Sequence, residues 1–318
     1  MTSDSRRSFE TGRFNFASFF FTGVTGLATA LILAILAVIL LNVFINGWSG
    51  LSWRFVTAGT EKDMFDVDKA GVFPMIFGTT ARVILMTIFV IPVGVITAIY
   101  LTEYAHASSL FTRAIRSAVN NLAGVPSIVF GLFGLGFFIN FLGHSVLDPA
   151  LHPGHPEIIA WGKPAIIWAS LTLAVMTLPV VIVTTEEALK AIAPGLREAS
   201  LALGASKLET IVRIVLPQAL PGIMTGGILA VSRAAGEVAP ILFTGAAYYM
   251  ASLPHSLTDQ FMDLGYHVFV LSTQSPNVDK TKPILYGTVA VLLLLTFSLN
   301  LVAIFVRANM RKKLRAMN

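Results

Sequence analysis

Leu196-Arg197-Glu198-Ala199-Ser200-Leu201-Ala202-Leu203-Gly204-Ala205-Ser206-Lys207-Leu208-Glu209-Thr210-Ile211-Val212-Arg213-Ile214-Val215-Leu216-Pro217 reads as two short helices around a turn. Pro194 and Gly195 break what precedes it. Leu196–Leu203 is rich in good helix formers, and Gly204 sits where a helix C-terminal cap belongs. Ser206 and Glu209 have capping-box spacing, in which each side chain satisfies a free backbone N–H of the other. Leu208, Ile211, Val212 and Val215 then predict one apolar face, ended by Pro217.

Outward from this loop the chain changes character. Of its 318 residues, 55% are hydrophobic and only 12% charged, with mean hydropathy +0.77. Soluble domains carry roughly 25% charged residues. The composition excludes a nucleic-acid-binding domain, a disordered regulator and an ordinary soluble enzyme. The absence of cysteine excludes disulfides, thiolate metal sites and a Cys nucleophile. A spanning helix needs about 20 mostly apolar residues. Five stretches free of Asp, Glu, Lys and Arg qualify: around 23–45, 83–102, 122–142, 164–185 and 283–306. A sixth, Leu220–Ala246, is apolar except for Arg233 and Glu237. The fold class is therefore all-α, a polytopic membrane protein with six transmembrane helices. The first apolar stretch is too long for a cleaved signal peptide and reads as a retained helix.

Six spans put both termini on one side. That side gathers Arg6, Arg7, Arg13, Arg113, Arg116, Lys190, Arg197, Lys207, Arg213, Arg307, Arg311, Lys312, Lys313 and Arg315, fourteen of the 22 basic residues. The positive-inside rule makes it cytoplasmic. Arg54, Lys62, Lys69, Arg82, Lys163, Lys280 and Lys282 fall outside, among Asp63, Asp66, Asp68, Asp259 and Asp263. The helix–turn–helix thus faces the cytoplasm, between the fourth and fifth spans.

Glu198-Ala199-Ser200, Gly204, Ile214 and Leu216-Pro217 resemble the EAA loop of ABC importer permeases, with Ser200 where Ala is usual. The resemblance extends to Asn120–Gly134, to Ser232–Pro240, to Ser256-Leu257 and Leu264–His267, and to Leu299–Leu301. Together these are similar to the A-type permease of the bacterial phosphate-specific transport (Pst) importer, over roughly Gly78 to the C-terminus. The resemblance implies a type I importer permease (MetI-like) fold in the bacterial cytoplasmic (inner) membrane. It divides the chain into a tail, first helix and outer loop (1–77), a five-helix transport domain (78–306, coupling loop 186–217) and a basic tail (307–318). It implies ATP-driven phosphate import with a C-type permease, an ATPase dimer docked on the coupling loop and an extracytoplasmic phosphate-binding protein. The chain has no Gly-x4-Gly-Lys-Ser/Thr, so ATP and Mg belong to the partner ATPase. It is a transport subunit, not an enzyme, and no cofactor is expected in this chain.

Arg233 and Glu237 are four apart, expected on one helix face in the outer half of the fifth span. Gly222, Gly226, Ala230 and Ala234 form a small-residue stripe beside them, which lets another helix approach. A charge there is a functional-site hypothesis by default. In one reading, Arg233 offers phosphate its fork of N–H donors and Glu237 neutralises it between turnovers. In the other, the two form a structural pair. Arg82 reads as an outer funnel residue or as an arginine snorkelling to lipid headgroups. Ser127 lines the path or bonds back to the preceding turn. His144, His152 and His155 lack a completing ligand, so no metal is expected. The stretch 257–271 reads as an interfacial helix, and Trp161, Tyr248 and Tyr249 as outer-interface residues. Competing readings are a permease for molybdate, sulfate or phosphonate, and a secondary carrier with a proton on Glu237. The carrier leaves the coupling loop unexplained and shows no inverted repeat. A membrane-embedded enzyme ranks last, because no catalytic constellation lies within the spans.

Overall fold

The computed structural model describes residues 16–59, 65–66, 69–106 and 108–317. The tail arginines Arg6, Arg7 and Arg13, together with Lys62, Asp63 and Asp68, lie outside these residues, as do the side chains of Lys313 and Arg315. Eleven helices are named in chain order. They are α1 (Phe16–Gly47), α2 (Trp53–Thr57), α3 (Phe73–Tyr104), α4 (Leu110–Leu122), α5 (Ser127–Leu151), α6 (Ile166–Lys190), α7 (Pro194–Ala202), α8 (Lys207–Ala235), α9 (Ile241–Thr244), α10 (Leu264–Thr273) and α11 (Val278–Met317). Helices α1, α3, α5, α6, α8 and α11 are long and apolar enough to cross a membrane. Alternation then puts α4, α7 and the end of α11 on one side, called here the loop side, and α2, α9 and α10 on the far side.

Helix α6 is the centre. Ile166, Trp168, Leu173, Met176, Val181, Ile182 and Leu189 are all buried, because α3 and α8 flank it. Three of its buried polar residues are satisfied within the helix: Ser170, Thr172 and Thr177 donate their hydroxyls to the carbonyls four residues back. A membrane interior offers no water to do this instead. Small residues set the helix spacing. A Cβ on Gly94 would meet Val181 of α6, one on Gly226 would meet Thr184, and one on Gly222 would meet Ala188. Ala230 and Ala234 are fully buried along the same stripe of α8. Gly226→Val is therefore expected to push α8 off α6, at an overpacking cost of about 1–3 kcal/mol. Lower thermal stability of the purified protein would register it. Gly23→Val, at a site with open space around it, should leave stability unchanged.

Helix α1 has no charged residue, and most of its side chains are exposed, as suits a lipid-facing surface. It meets α11 at its far-side end, where Gly47 lies against the Tyr286 backbone and Gly50 against Pro283.

Several boundaries differ from the sequence expectations. Pro217 does not end a helix: α8 runs from Lys207 to Ala235 without interruption. The turn Ile211–Val215 is π-helical, with the Leu216 N–H donating to Ile211 O. This wide turn accommodates a residue that has no N–H and would crowd the carbonyl four residues back. The same turn splits the expected apolar face, leaving Ile211 and Val215 buried while Leu208 and Val212 are exposed. The fifth span ends at Ala235, not near Ala246; a turn and the short α9 follow. The 102–120 loop contains the amphipathic α4, a helix that the search for uncharged stretches could not find. The helix expected around 257–271 is α10, which begins only at Leu264. Leu264, Gly265, His267, Val270 and Leu271 are buried, with α11 and α3 packed against it.

Candidate functional site

Two regions carry the chemistry, one at each end of the bundle. At the loop side, Gly204 adopts φ +87°, a left-handed conformation that suits glycine, and turns the chain out of α7. Ser206 Oγ then accepts from the Glu209 N–H at 3.3 Å, and Glu209 accepts from the Ser206 N–H at 2.9 Å. The capping box expected from sequence is present. Ser200 and Thr210 share a hydroxyl hydrogen bond of 2.9 Å, which joins α7 to the first turn of α8. Glu198 and Ala199 are exposed, while Ile214, Leu216 and Pro217 are half-buried along α8. Leu196, Leu201, Leu203, Leu208 and Val212 are exposed too, Leu203 at 90%. The loop is thus a rigid two-helix element with an apolar outer surface.

Arg197 anchors the loop from beneath. It donates to the Leu189 and Ile192 carbonyls at the end of α6 at 2.8 and 2.9 Å, and to Glu103 Oε1 of α3 at 2.8 and 3.2 Å. Beside it, Glu186 accepts from both Arg116 of α4 and Lys190 at 2.8 Å. These pairings join residues up to 94 positions apart, so the sequence alone did not reveal them.

At the far side, Arg233 lies in the last turn of α8 and Glu237 just beyond the helix. Their closest ion-pair atoms are 3.7 Å apart, beyond hydrogen-bond length, and the side chains are 43% and 23% exposed. The two are neighbours, but not through a shared helix face, because α8 ends between them. Ser232 next to Arg233 is exposed and accepts from Asn300 Nδ2 at 3.3 Å.

Arg82 occupies neither position expected of it. Its side chain is 0% exposed and lies nine residues inside α3, reaching neither headgroups nor an open funnel. Its Nε donates to Asp263 Oδ2 at 2.6 Å, and its fork donates to the Ala234 and Ala235 carbonyls at 2.8 and 3.1 Å. A weaker contact of 3.5 Å reaches the Glu237 carbonyl. Thr79 donates to the same Asp263 oxygen and accepts the Leu264 N–H. Asp263 Oδ1 caps α10 by accepting from the Tyr266 N–H. The guanidinium thus satisfies orphan carbonyls at the C-terminal end of α8, where the helix dipole favours a cation. This cluster fixes the backbone on the C-terminal side of Arg233. Asp263 and Thr79 were missed as site residues; the separation of 181 positions between Arg82 and Asp263 left no local signal.

Ser127 is half-buried in the first turn of α5, with no helical turn before it to bond back to. On the far-side surface, Asp259 accepts the backbone N–H groups of His255 and Ser256. Those two bonds, aided by nearby Lys163, hold its carboxyl below the usual carboxylate range.

The described residues thus combine six helices long enough to cross a membrane, a capped helix–turn–helix between the fourth and fifth, and a charged pair at the end of the fifth. The chain belongs to the family of binding-protein-dependent transport system inner membrane components, which residues 90–316 match. It is thus an ABC transporter permease and a multi-pass membrane protein, a transport component. It is 32% identical over 306 residues to the probable ABC transporter permease protein YqgI of Bacillus subtilis, covering 93% of this chain and 96% of that one. It is 34% identical over 204 residues to the phosphate transport system permease protein PstA 1 of Mycobacterium tuberculosis, covering 63% and 60%. This makes it a PstA-like permease in sequence. The fold is similar to a bacterial alginate ABC transporter (TM-score 0.63, 13% identity, 93% of this chain and 95% of that one). It is also similar to the MetNI methionine ABC transporter (TM-score 0.52, 18% identity, 76% and 94%).

Proposed function

We propose that this chain is the A-type membrane subunit of an ATP-driven importer of inorganic phosphate. It pairs with a C-type permease in the bacterial inner membrane, with both termini in the cytoplasm. A dimer of ATPase subunits docks on α7 and hydrolyses ATP with Mg, and an extracytoplasmic protein delivers phosphate to the far side. Similarity to phosphate permeases supports the substrate. The observation that carries the anion reading is Arg233: a permanent cation, half-exposed at the end of an apolar span, held only loosely by Glu237. A charge in that place is costly against lipid, which favours a water-filled path or a partner subunit beside it. A planar fork of donors suits a tetrahedral oxyanion, and Glu237 recaptures the fork once the anion leaves.

Selection among oxyanions falls mainly to the delivering protein, because one guanidinium binds sulfate as readily as phosphate. The test is uptake of labelled phosphate at low micromolar concentration in cells lacking this chain and every other phosphate system. Complementation by the wild-type chain should restore uptake, and excess sulfate or molybdate should leave it unchanged. Restored uptake of sulfate or molybdate in place of phosphate would reassign the substrate.

A further inference from the structure

Helix α3 has no chain connection to the loop that carries α7. Helices α6 and α8 flank that loop in sequence, so a displacement of α7 reaches them through the backbone. It reaches α3 through side chains. The last turn of α3, Tyr100–Tyr104, is π-helical, with the Ala105 N–H donating to Tyr100 O at 2.8 Å. The wide turn presents two residues to the loop. Glu103, whose side chain is 10% exposed, accepts twice from Arg197 of α7. Tyr104 lies under Lys207, the first residue of α8, with the ammonium 4.8 Å from the ring centroid. The orphan Leu101 carbonyl of the same turn accepts from Arg116 of α4 at 3.0 Å. The π turn therefore gathers α4, α7 and the start of α8 onto one helix end.

The other end of α3 is fastened just as firmly. Arg82 holds the carbonyls of Ala234 and Ala235, on the C-terminal side of Arg233. From Arg82 to Glu103 is 21 residues, about 30 Å at helical rise. Between the two fastenings, Gly94 brings α3 into close contact with Val181 of α6. One packed rod thus links the loop surface to the segment that carries the charged pair.

We infer that the Arg197–Glu103 contact is a coupling joint. It passes displacement of α7 into α3, and through Arg82 to the position of Arg233 and Glu237. Arg197 and Glu103 are positioning residues here; neither touches phosphate. The pair suits the task. It is largely buried, so the local dielectric is low and the charge-assisted bonds resist being pulled apart. Arg197 is held at the same time by the Leu189 carbonyl in the last turn of α6 and the Ile192 carbonyl just beyond it, so α3 and α6 move with α7 as one body. The inference rests on the proposed docking of an ATPase at α7.

The test uses the whole importer, with its ATPase and partner permease, reconstituted in liposomes and supplied with the phosphate-loaded binding protein. Phosphate imported and ATP hydrolysed are measured together. Glu103→Gln keeps the side chain's shape and removes its charge. The result expected is unchanged co-purification of the ATPase, near-normal hydrolysis and at least a fivefold drop in phosphate imported per ATP. Glu103→Asp, which restores the charge, should recover part of that ratio, and Tyr104→Leu should lower it less than Glu103→Gln does. An unchanged ratio in Glu103→Gln overturns the joint. Loss of the ATPase or of folded protein in both Glu103 variants also overturns it, by making the contact a folding contact only. If the wild-type chain itself neither retains nor stimulates an ATPase, the docking reading fails, and the joint falls with it.

Discussion

Replacing Arg233 with alanine is expected to reduce phosphate import to background while the complex still assembles. The side chain is half-exposed, and its one ion-pair contact among the described residues is long. Removing it leaves Glu237 with 23% exposure and only a weak attraction lost, so the folded state should lose little. Transport should lose nearly everything, because no other described cation lies within the apolar stretch of α8. Arg233→Lys should retain a small part of the import, since an ammonium supplies charge but not two parallel donors. Uptake together with co-purification of the partner subunits measures both. If Arg233→Ala fails to assemble, the pair is scaffold and the pathway reading is wrong.

Arg82→Met is expected to do the reverse, destroying the fold at the far side. The substitution leaves the Asp263 carboxylate buried beside Thr79 with its cation gone, and frees two carbonyls at the end of α8. Removing one partner of a buried ion pair costs about 3–5 kcal/mol. The loss should appear as low yield of folded protein and a reduced melting temperature in detergent. Arg82→Lys should recover only part of the stability, because an ammonium cannot reach Asp263 and both carbonyls in the guanidinium's geometry. A stable Arg82→Met protein that folds but imports no phosphate would return Arg82 to the pathway.

The contrast between these two arginines shows what a sequence can and cannot disclose here. Both are arginines in apolar surroundings, and the sequence ranked Arg233 by its location and Arg82 as a helix-end residue. The difference lies in partners. Asp263 is 181 positions from Arg82, and nothing local marks the pair. The loop was legible because its determinants are local. Gly204 must adopt a left-handed turn, and Ser206 and Glu209 find each other three residues apart. Five of the six spans were legible because about 20 uncharged residues leave few alternatives to a membrane helix, and the sixth because only Arg233 and Glu237 interrupt it. Their ends were less so. Arg82 lies inside α3 because its charge is paired, and α8 passes through Pro217 because a π turn makes room for it. The amphipathic α4 carries Arg113 and Arg116, which disqualified it from any search for uncharged stretches.

The most direct test is phosphate accumulation by the purified complex in sealed liposomes, with the loaded binding protein facing the far side. ATP and Mg are supplied on the loop side, with no proton gradient. Accumulation is expected to require ATP hydrolysis and to disappear with Arg233→Ala. Accumulation driven by an imposed proton gradient without ATP, and lost with Glu237→Gln, would contradict it and make the chain an ion-coupled carrier.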